Sequence, residues 1–222
     1  MDGKITYFDK IGRENTEATL AIAKKRADEL GIKTILIAST FGDTAVRAVD
    51  VFHGGGYKIV AVGHVYGMRE PNKNTFADEK RRYVESKGGV VIFANHAFTG
   101  ITRRPAPPSE PGVPPAPLTG PVLEVGEIIA NALRMICAGI KVVVECGAMA
   151  ADAGQVRTDE DIIAIAGSGR GADTAVVMRA SNSREIFRSR IKEILCKPLN
   201  YAGGPPAGAR PAGLVPEAPK SA

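Results

Sequence analysis

Short, continuous apolar runs recur along the chain, and each has the length of a β-strand. Five of them span residues 34–38, 59–62, 90–94, 142–144 and 162–166. Runs that are apolar on both faces are typical of strands covered by helices on either side, as in a mostly parallel sheet. The chain is therefore expected to fold into an α/β domain.

Segments with helical periodicity separate these runs. An apolar stripe at helical spacing predicts a helix from Asn15 or Thr16, as N-cap, to a stop at Gly31. Further helices are predicted at about residues 44–52, 76–86, 125–138 and 184–196. Alternating strands and helices indicate βαβ units, and the predicted architecture is a three-layer α/β/α sandwich.

A sixth apolar run, residues 174–178, follows the run at 162–166 after only seven residues, GSGRGAD. A parallel crossover needs about a dozen residues or more. These two strands are therefore predicted to be antiparallel neighbours, which makes the sheet mixed.

Proline is concentrated in two segments, residues 105–121 and 198–222, which together hold all prolines except Pro71. Such composition is typical of extended or disordered chain. The sequence therefore predicts a single domain over residues 1–197, interrupted by a proline-rich insertion at 105–121, and a flexible tail over 198–222.

Composition excludes several classes of protein. The 222 residues are too few for an eight-stranded α/β barrel of about 250. No apolar run approaches the roughly 20 residues of a membrane span, and the first residues do not resemble a signal peptide, so a cytoplasmic location is expected. A net charge of only +5 and the absence of Trp argue against a nucleic-acid partner. Three Cys and three His without ligand spacing argue against a metal site.

Ligands of open α/β sheets bind beyond the carboxyl ends of the strands. The first of the five runs is followed there by the hydroxyl-rich loop STFGDT, residues 39–44, before a predicted helix. Hydroxyls and backbone N–H groups at a helix N-terminus suit a phosphate, although Asp43 or Thr44 could equally cap the helix. His64 and His96 follow the next two strands, and Glu145 follows the run at 142–144.

The loop GSGRGADT, residues 167–174, has glycine at three alternate positions and one arginine, Arg170. Glycines permit positive φ and close backbone approach to a ligand, so the loop is a candidate anion site. A plain hairpin loop remains the alternative interpretation. The loop is neither a dinucleotide fingerprint nor a P-loop. Glu145 and Asp152 are acids near the predicted strand ends, but nothing in the sequence pairs them as acid and base.

The segment ILIASTFGDTAVRAVDVF followed by KIVAVG resembles the C-terminal domain of pyruvate kinase, where the corresponding loop holds a sugar phosphate. The whole pattern is similar to that of stand-alone archaeal and bacterial proteins of the pyruvate kinase C-terminal-domain-like family. It includes Asn15-Thr16, Gly63-His64 with Arg69-Glu70-Pro71, residues 149–154 (MAADAG) and GSGRGADTA. The resemblance covers roughly residues 5–198 without the insertion.

The resemblance implies a three-layer α/β/α sandwich with a mixed, mostly parallel five-stranded sheet, and a stand-alone protein that binds FMN. Pyruvate kinase activity is not implied, because the catalytic barrel is missing. Asp43 stands where the pyruvate kinase loop commonly carries a basic residue, which argues against regulation by a sugar bisphosphate. The residues expected to contact the ligand are Ser39, Thr40, Gly42, Asp43, Thr44, His64, His96, Gly167, Ser168, Gly169, Arg170, Gly171 and Thr174.

The expected partner is thus a small phosphorylated molecule, with FMN as the cofactor. Two other functions stay open at this point: a regulatory module for another phosphorylated metabolite, and a flavin-dependent oxidoreductase. A homo-oligomer that associates through the sheet edge or the helix faces is also compatible with the sequence.

Overall fold

A computed structural model describes residues 3–98 and 125–199 of the chain. The proline-rich insertion at 105–121 lies outside these ranges, as does the tail apart from Pro198 and Leu199. The described residues form one mixed α/β unit with a seven-stranded sheet.

The strands in chain order are β1 (Thr6–Phe8), β2 (Thr34–Ala38), β3 (Lys58–His64), β4 (Val90–Ala94), β5 (Asp161–Ala166), β6 (Thr174–Arg179) and β7 (Arg190–Pro198). The helices are α1 (Thr16–Leu30), α2 (Asp43–Val51), α3 (Asp78–Ser86), α4 (Val125–Arg134) and α5 (Ala138–Asp152). Short 3₁₀ turns lie at Arg13–Asn15 and Ser183–Arg188.

The strand order across the sheet is β1-β7-β6-β5-β2-β3-β4. Strands β5, β2, β3 and β4 are mutually parallel neighbours, and β1 is parallel to β7. β6 is antiparallel to both β5 and β7, so the predicted antiparallel pairing around the GSGRGAD loop is confirmed. The carboxyl ends of β5, β2, β3 and β4 therefore meet at one edge of the sheet.

Two apolar cores lie on opposite faces of the sheet. On one face α1, α2 and α3 cover residues such as Ile35, Ile37 and Ile163. On the other face α4 and α5 cover Leu36 and Val60. Burial of both faces explains why β2, β3 and β5 read as continuous apolar runs, and helices on both faces agree with the predicted three layers.

Contrary to the prediction, the apolar run at 142–144 is not a strand. It lies within the first half of α5. Twelve of the fifteen residues of this helix are buried. A helix buried nearly all round shows little apolar periodicity, so its three consecutive valines are indistinguishable from a buried strand in the sequence.

The prediction of a helix at 184–196 is also wrong, because most of this segment is strand β7. Its pairing with β6 shifts register at Ala175/Val176 and again at Val177/Met178. Such irregularities interrupt the alternation of a strand. The three-residue strand β1 is too short to be recognised by pattern, and β7 and β1 make the sheet seven-stranded instead of five-stranded.

Candidate functional site

A cavity of about 380 Å³ opens at the carboxyl ends of β2, β3 and β5. Ala38, His64 and Gly167, which end or follow these strands, line it. Its volume falls in the range of small-molecule sites in proteins, roughly 300–1,000 Å³. This is the edge at which the sequence predicted a ligand.

Ten of the thirteen residues predicted to bind a ligand line this one cavity. They are Ser39, Thr40, Asp43, Thr44, His64, His96, Gly167, Gly169, Arg170 and Gly171. The other three, Gly42, Ser168 and Thr174, do not line it. Gly42 packs against neighbouring side chains, and Ser168 and Thr174 donate hydrogen bonds to Asp173.

Gly42 closes the turn between β2 and α2 with a φ of 89°. A Cβ atom here would lie 2.8 Å from Cε1 of Phe76 and 2.9 Å from Cβ of Lys80. The Ser39 hydroxyl accepts a hydrogen bond from the N–H of Ala45, at 3.3 Å, in the first turn of α2. The loop is therefore held by a glycine that packs against α3 and by a serine that binds the helix N-terminus.

Asp43, at the start of α2, does not face the cavity as an uncompensated negative charge. Lys80 of α3 donates a hydrogen bond of 2.7 Å to its carboxylate. This bond lowers the pKa of Asp43, and the positive charges of Arg13 and Arg170 lower it further. The negative charge of Asp43 is thus compensated by neighbouring positive charges.

The glycine-rich loop is organised by the buried carboxylate of Asp173. One oxygen accepts the N–H of Gly12 at 2.8 Å and the N–H of Ser168 at 3.1 Å, and the other accepts the Thr174 hydroxyl at 2.9 Å. Ala172 N–H donates to the hydroxyl of Thr16 at 3.0 Å. The bonds to Gly12 and Thr16 fasten the loop to the start of α1 and to the segment before it.

Two glycines of this loop have positive φ but different surroundings. At Gly171, with φ 76°, a Cβ atom would lie 2.4 Å from Cα of Arg13. At Gly169, with φ 89°, a Cβ atom would meet nothing within 4 Å. Gly171 therefore permits close contact with the Arg13 turn, whereas Gly169 leaves the backbone open towards the cavity that it lines.

Three helices begin at the cavity, and their first residues line it: Thr16 of α1, Asp43 and Thr44 of α2, and Ala138 of α5. Among the described residues, no N-cap side chain accepts a hydrogen bond at any of these starts. Helix N-termini carry partial positive charge and N–H groups without intrahelical partners. Their convergence favours a negatively charged ligand.

Five cationic side chains line the cavity: Arg13, Arg47, Arg134, Lys141 and Arg170. Arg47 forms an ion pair with Glu17, and Lys141 with Glu145. No carboxylate within 3–98 or 125–199 lies within 4.0 Å of the other three guanidinium groups. Arg170 stacks on Phe41 of the β2–α2 loop, with its central carbon 4.6 Å from the ring centroid. The cavity thus has cationic groups that remain available to an anion.

A cluster of three polar side chains, the buried Lys141 and Glu145 and the largely buried His96, forms part of the cavity wall on the α5 side. Glu145 Oε2 lies 3.0 Å from Nδ1 of His96 and also accepts a hydrogen bond from Lys141. Burial acts to raise the pKa of Glu145, but the hydrogen bond from His96 and the charge of Lys141 together lower it to about 2. Burial lowers the pKa of Lys141, an effect that Glu145 opposes. The carboxylate of Glu145 is therefore anionic.

His64 joins this group to the hydroxyl loop. Its Nε2 lies 3.3 Å from the hydroxyl of Thr40, and its ring packs edge-on against His96 with centroids 5.0 Å apart. Cys146 also lines the cavity, but burial raises the pKa of its thiol to about 12. A thiol that stays protonated is a poor nucleophile.

No protein-family model matches the sequence. Within the described ranges, no helix combines the length and apolar character needed to cross a membrane. Those same residues contain no group of three His, Cys, Asp or Glu side chains that could hold a metal ion.

Sequence reasoning missed Arg13, Arg134 and Lys141 as cavity residues, and it missed the partnership of Glu145 with His96. Glu145 was expected to follow a strand but lies within α5. Lys141 and Glu145 are four residues apart, which is ion-pair spacing on a helix, and this spacing would have indicated α5 had the valines between them not suggested a strand. Asp152, the other acid near a predicted strand end, accepts hydrogen bonds from Asn182 and Ser183 and does not line the cavity.

Proposed function

We propose that this protein binds a small phosphorylated ligand, FMN, in the cavity at the carboxyl edge of its sheet, and that its fold is of the pyruvate kinase C-terminal-domain type. The observation that carries the proposal is the convergence of three helix N-termini with Arg13 and Arg170 on one cavity. Phosphate is bound by such N–H groups and by guanidinium groups, which form charge-assisted hydrogen bonds.

The phosphate position that we propose lies between the β2–α2 loop and the glycine-rich loop. Thr40 and Thr44 bring hydroxyls from one side, and Gly169 and Arg170 bring backbone and charge from the other. The stacking of Arg170 on Phe41 links the two loops. The Asp43–Lys80 ion pair reduces the repulsion that the aspartate would exert on a phosphate.

FMN is proposed over other phosphorylated ligands for two reasons. The motif resemblance is to a family associated with FMN. In addition, the cavity wall includes the apolar side chains of Val62, Val142 and Met149, against which a flat ring can pack. His64 and His96 line the same cavity, where their rings can contact the polar edge of such a ring.

The test is a visible absorption spectrum of the purified protein, followed by titration with FMN monitored by flavin fluorescence. We expect flavin to co-purify, or to be bound stoichiometrically with quenching. Riboflavin, which lacks the phosphate, is the matched control and should bind more weakly.

A thermal-shift comparison at equal ligand concentrations distinguishes FMN from other phosphorylated metabolites, because the tighter ligand raises the unfolding midpoint more. Greater stabilisation by a sugar phosphate would replace FMN by that metabolite at the same site. A protein that responds to no phosphorylated compound would refute the proposal as a whole.

A further inference from the structure

His96 contains a buried ring nitrogen that the fold itself does not satisfy. Its side chain is 13% exposed, and its Nε2 atom is buried without a hydrogen-bond partner among residues 3–98 and 125–199. Buried polar atoms are nearly always hydrogen-bonded, because an unpaired one destabilises the protein. An exception in the wall of a cavity indicates a partner that comes from the cavity.

The other ring nitrogen of His96 determines which partner that can be. Nδ1 lies 3.0 Å from Glu145, whose second oxygen accepts the N–H of Phe98 at 3.4 Å. Glu145 is 2% exposed and paired with Lys141, so it is a carboxylate and can only accept hydrogen bonds. Nδ1 must therefore carry the proton, and in the neutral imidazole Nε2 then presents a lone pair.

The protein charges around this imidazole are already balanced. The negative charge of Glu145 is matched by Lys141, which is 4% exposed. A second proton on His96 would add a buried positive charge and a donor on Nε2 that no described residue accepts. The adjacent His64 ring packs against His96 by its edge and does not supply a hydrogen bond to Nε2.

We propose that His96 is a specificity-determining residue whose Nε2 accepts a hydrogen bond from a ring N–H group of the bound ligand. The inference rests on the proposed function. In FMN the group is N3–H, the one N–H donor of the oxidised isoalloxazine ring. Glu145 and Lys141 are positioning residues, because they fix the tautomer and orientation of His96. The site therefore selects a ligand with an anionic group and a ring N–H donor.

The experiment compares the affinities of FMN and 3-methyl-FMN, in which a methyl group replaces the N3 hydrogen. Wild-type protein should bind FMN about tenfold more tightly than the methylated flavin, the effect of one lost hydrogen bond. His96→Phe keeps a ring of similar size without an acceptor, so it should bind FMN about tenfold more weakly and no longer distinguish the two flavins. His53→Phe, at an exposed histidine, is the matched control and should behave as wild type.

Each outcome has a distinct meaning. If wild-type protein binds both flavins equally, the role of His96 is refuted while FMN binding stands. If His96→Phe still prefers FMN, the methyl group clashes elsewhere and the proposal is again refuted. If wild-type protein binds neither flavin, the proposed function fails, and the inference fails with it.

A second measurement needs neither a variant nor a ligand. The chain has only three histidines, so ¹⁵N NMR of histidine-labelled protein can resolve the ring nitrogens of each. At pH 8, above the ordinary titration range of histidine, His96 should show a protonated Nδ1 and an unprotonated Nε2. The opposite tautomer would overturn the proposal.

Discussion

Lys80 of α3 holds the carboxylate of Asp43 at 2.7 Å, at the point where α2 begins beside the cavity. Lys80 itself does not line the cavity. Its positive charge offsets the negative charge of Asp43, which does line the cavity.

Replacing Lys80 by Ala should weaken FMN binding by roughly fivefold, because an uncompensated carboxylate would then lie beside the phosphate. The loss should disappear in the double variant Lys80→Ala/Asp43→Asn, measured by the same flavin titration. Lys87→Ala removes an equal charge just after α3, at a residue that does not line the cavity, and serves as control. A Lys80→Ala defect that persists in the double variant would show that Lys80 acts in some other way.

Arg170 should contribute directly to phosphate binding. Its guanidinium group lines the cavity and has no ion-pair partner in the described part of the chain. Arg170→Ala should reduce the binding free energy of FMN by about 1.5–3 kcal/mol, the strength of a charge-assisted hydrogen bond. The same variant should reduce the binding of riboflavin much less. Calorimetric titration of the variant with both flavins measures the difference. An unchanged affinity for FMN would remove Arg170 from the site.

Asp173 should be essential to the stability of the glycine-rich loop. Its fully buried carboxylate accepts three hydrogen bonds, and in Asp173→Asn the amide NH₂ would face at least one of those donors. We expect a loss of about 2–3 kcal/mol in the free energy of unfolding, measured by urea denaturation. Asp159→Asn, at an exposed residue, should change it by less than about 0.5 kcal/mol. Equal stabilities of the two variants would contradict the organising role of Asp173.

Gly169 and Gly171 form a matched pair for the effect of close backbone contact. Both have positive φ, so alanine at either position costs roughly 1 kcal/mol in backbone strain. Only at Gly171 would the new Cβ also collide with the Arg13 backbone. Gly171→Ala should therefore be less stable than Gly169→Ala by a further 1–3 kcal/mol or so. Thermal and urea unfolding of the two variants side by side would test this, and similar stabilities would argue against tight packing of the loop on Arg13.

Glu145 should make the fold sensitive to acid. Its pKa in the folded chain is about 2, compared with an ordinary value of 4.5. A carboxyl group with a lower pKa in the folded than in the unfolded chain stabilises the fold above pH 4.5, and this contribution is lost as the pH falls towards 2. The contribution is roughly 3 kcal/mol.

Urea unfolding of wild type and Glu145→Gln between pH 6 and pH 3 measures this effect. Wild type should be more stable than the variant at pH 6, and the difference should shrink as the pH falls. Acidic side chains that do not contact Glu145 titrate alike in both proteins and cancel in the comparison. A difference that stays constant over this range would mean that folding does not lower the pKa of Glu145.

Sequence patterns located the strands whose two faces are both buried. Strands β2, β3 and β5 are continuous apolar runs because helices cover them on either side, and the short GSGRGAD connection determined the antiparallel partner β6. The same criterion failed for α5, since a helix buried nearly all round also lacks polar interruptions. It failed for β7 because register shifts against β6 disturb the alternation.

The candidate site was predictable where it follows a strand and unpredictable elsewhere. Position after a strand located Ser39, His64 and Gly167, since the carboxyl edge of a parallel sheet gathers such residues. Arg13 reaches the cavity because the turn that contains it is tied to Asp173, which is 161 residues away from Gly12. No local pattern in the sequence carries information about contacts at that separation.

The hydrogen bond from Gly12 to Asp173 also has a consequence for the order of events during synthesis. A ribosome releases the Arg13 turn long before it has made the glycine-rich loop, and β6 can pair only after β5 is complete. Up to that point, the growing chain lacks Gly167, Gly169, Arg170 and Gly171 of the cavity wall. The cavity should therefore be completed abruptly on nascent chains of increasing length, once the loop and its supporting strands have left the exit tunnel.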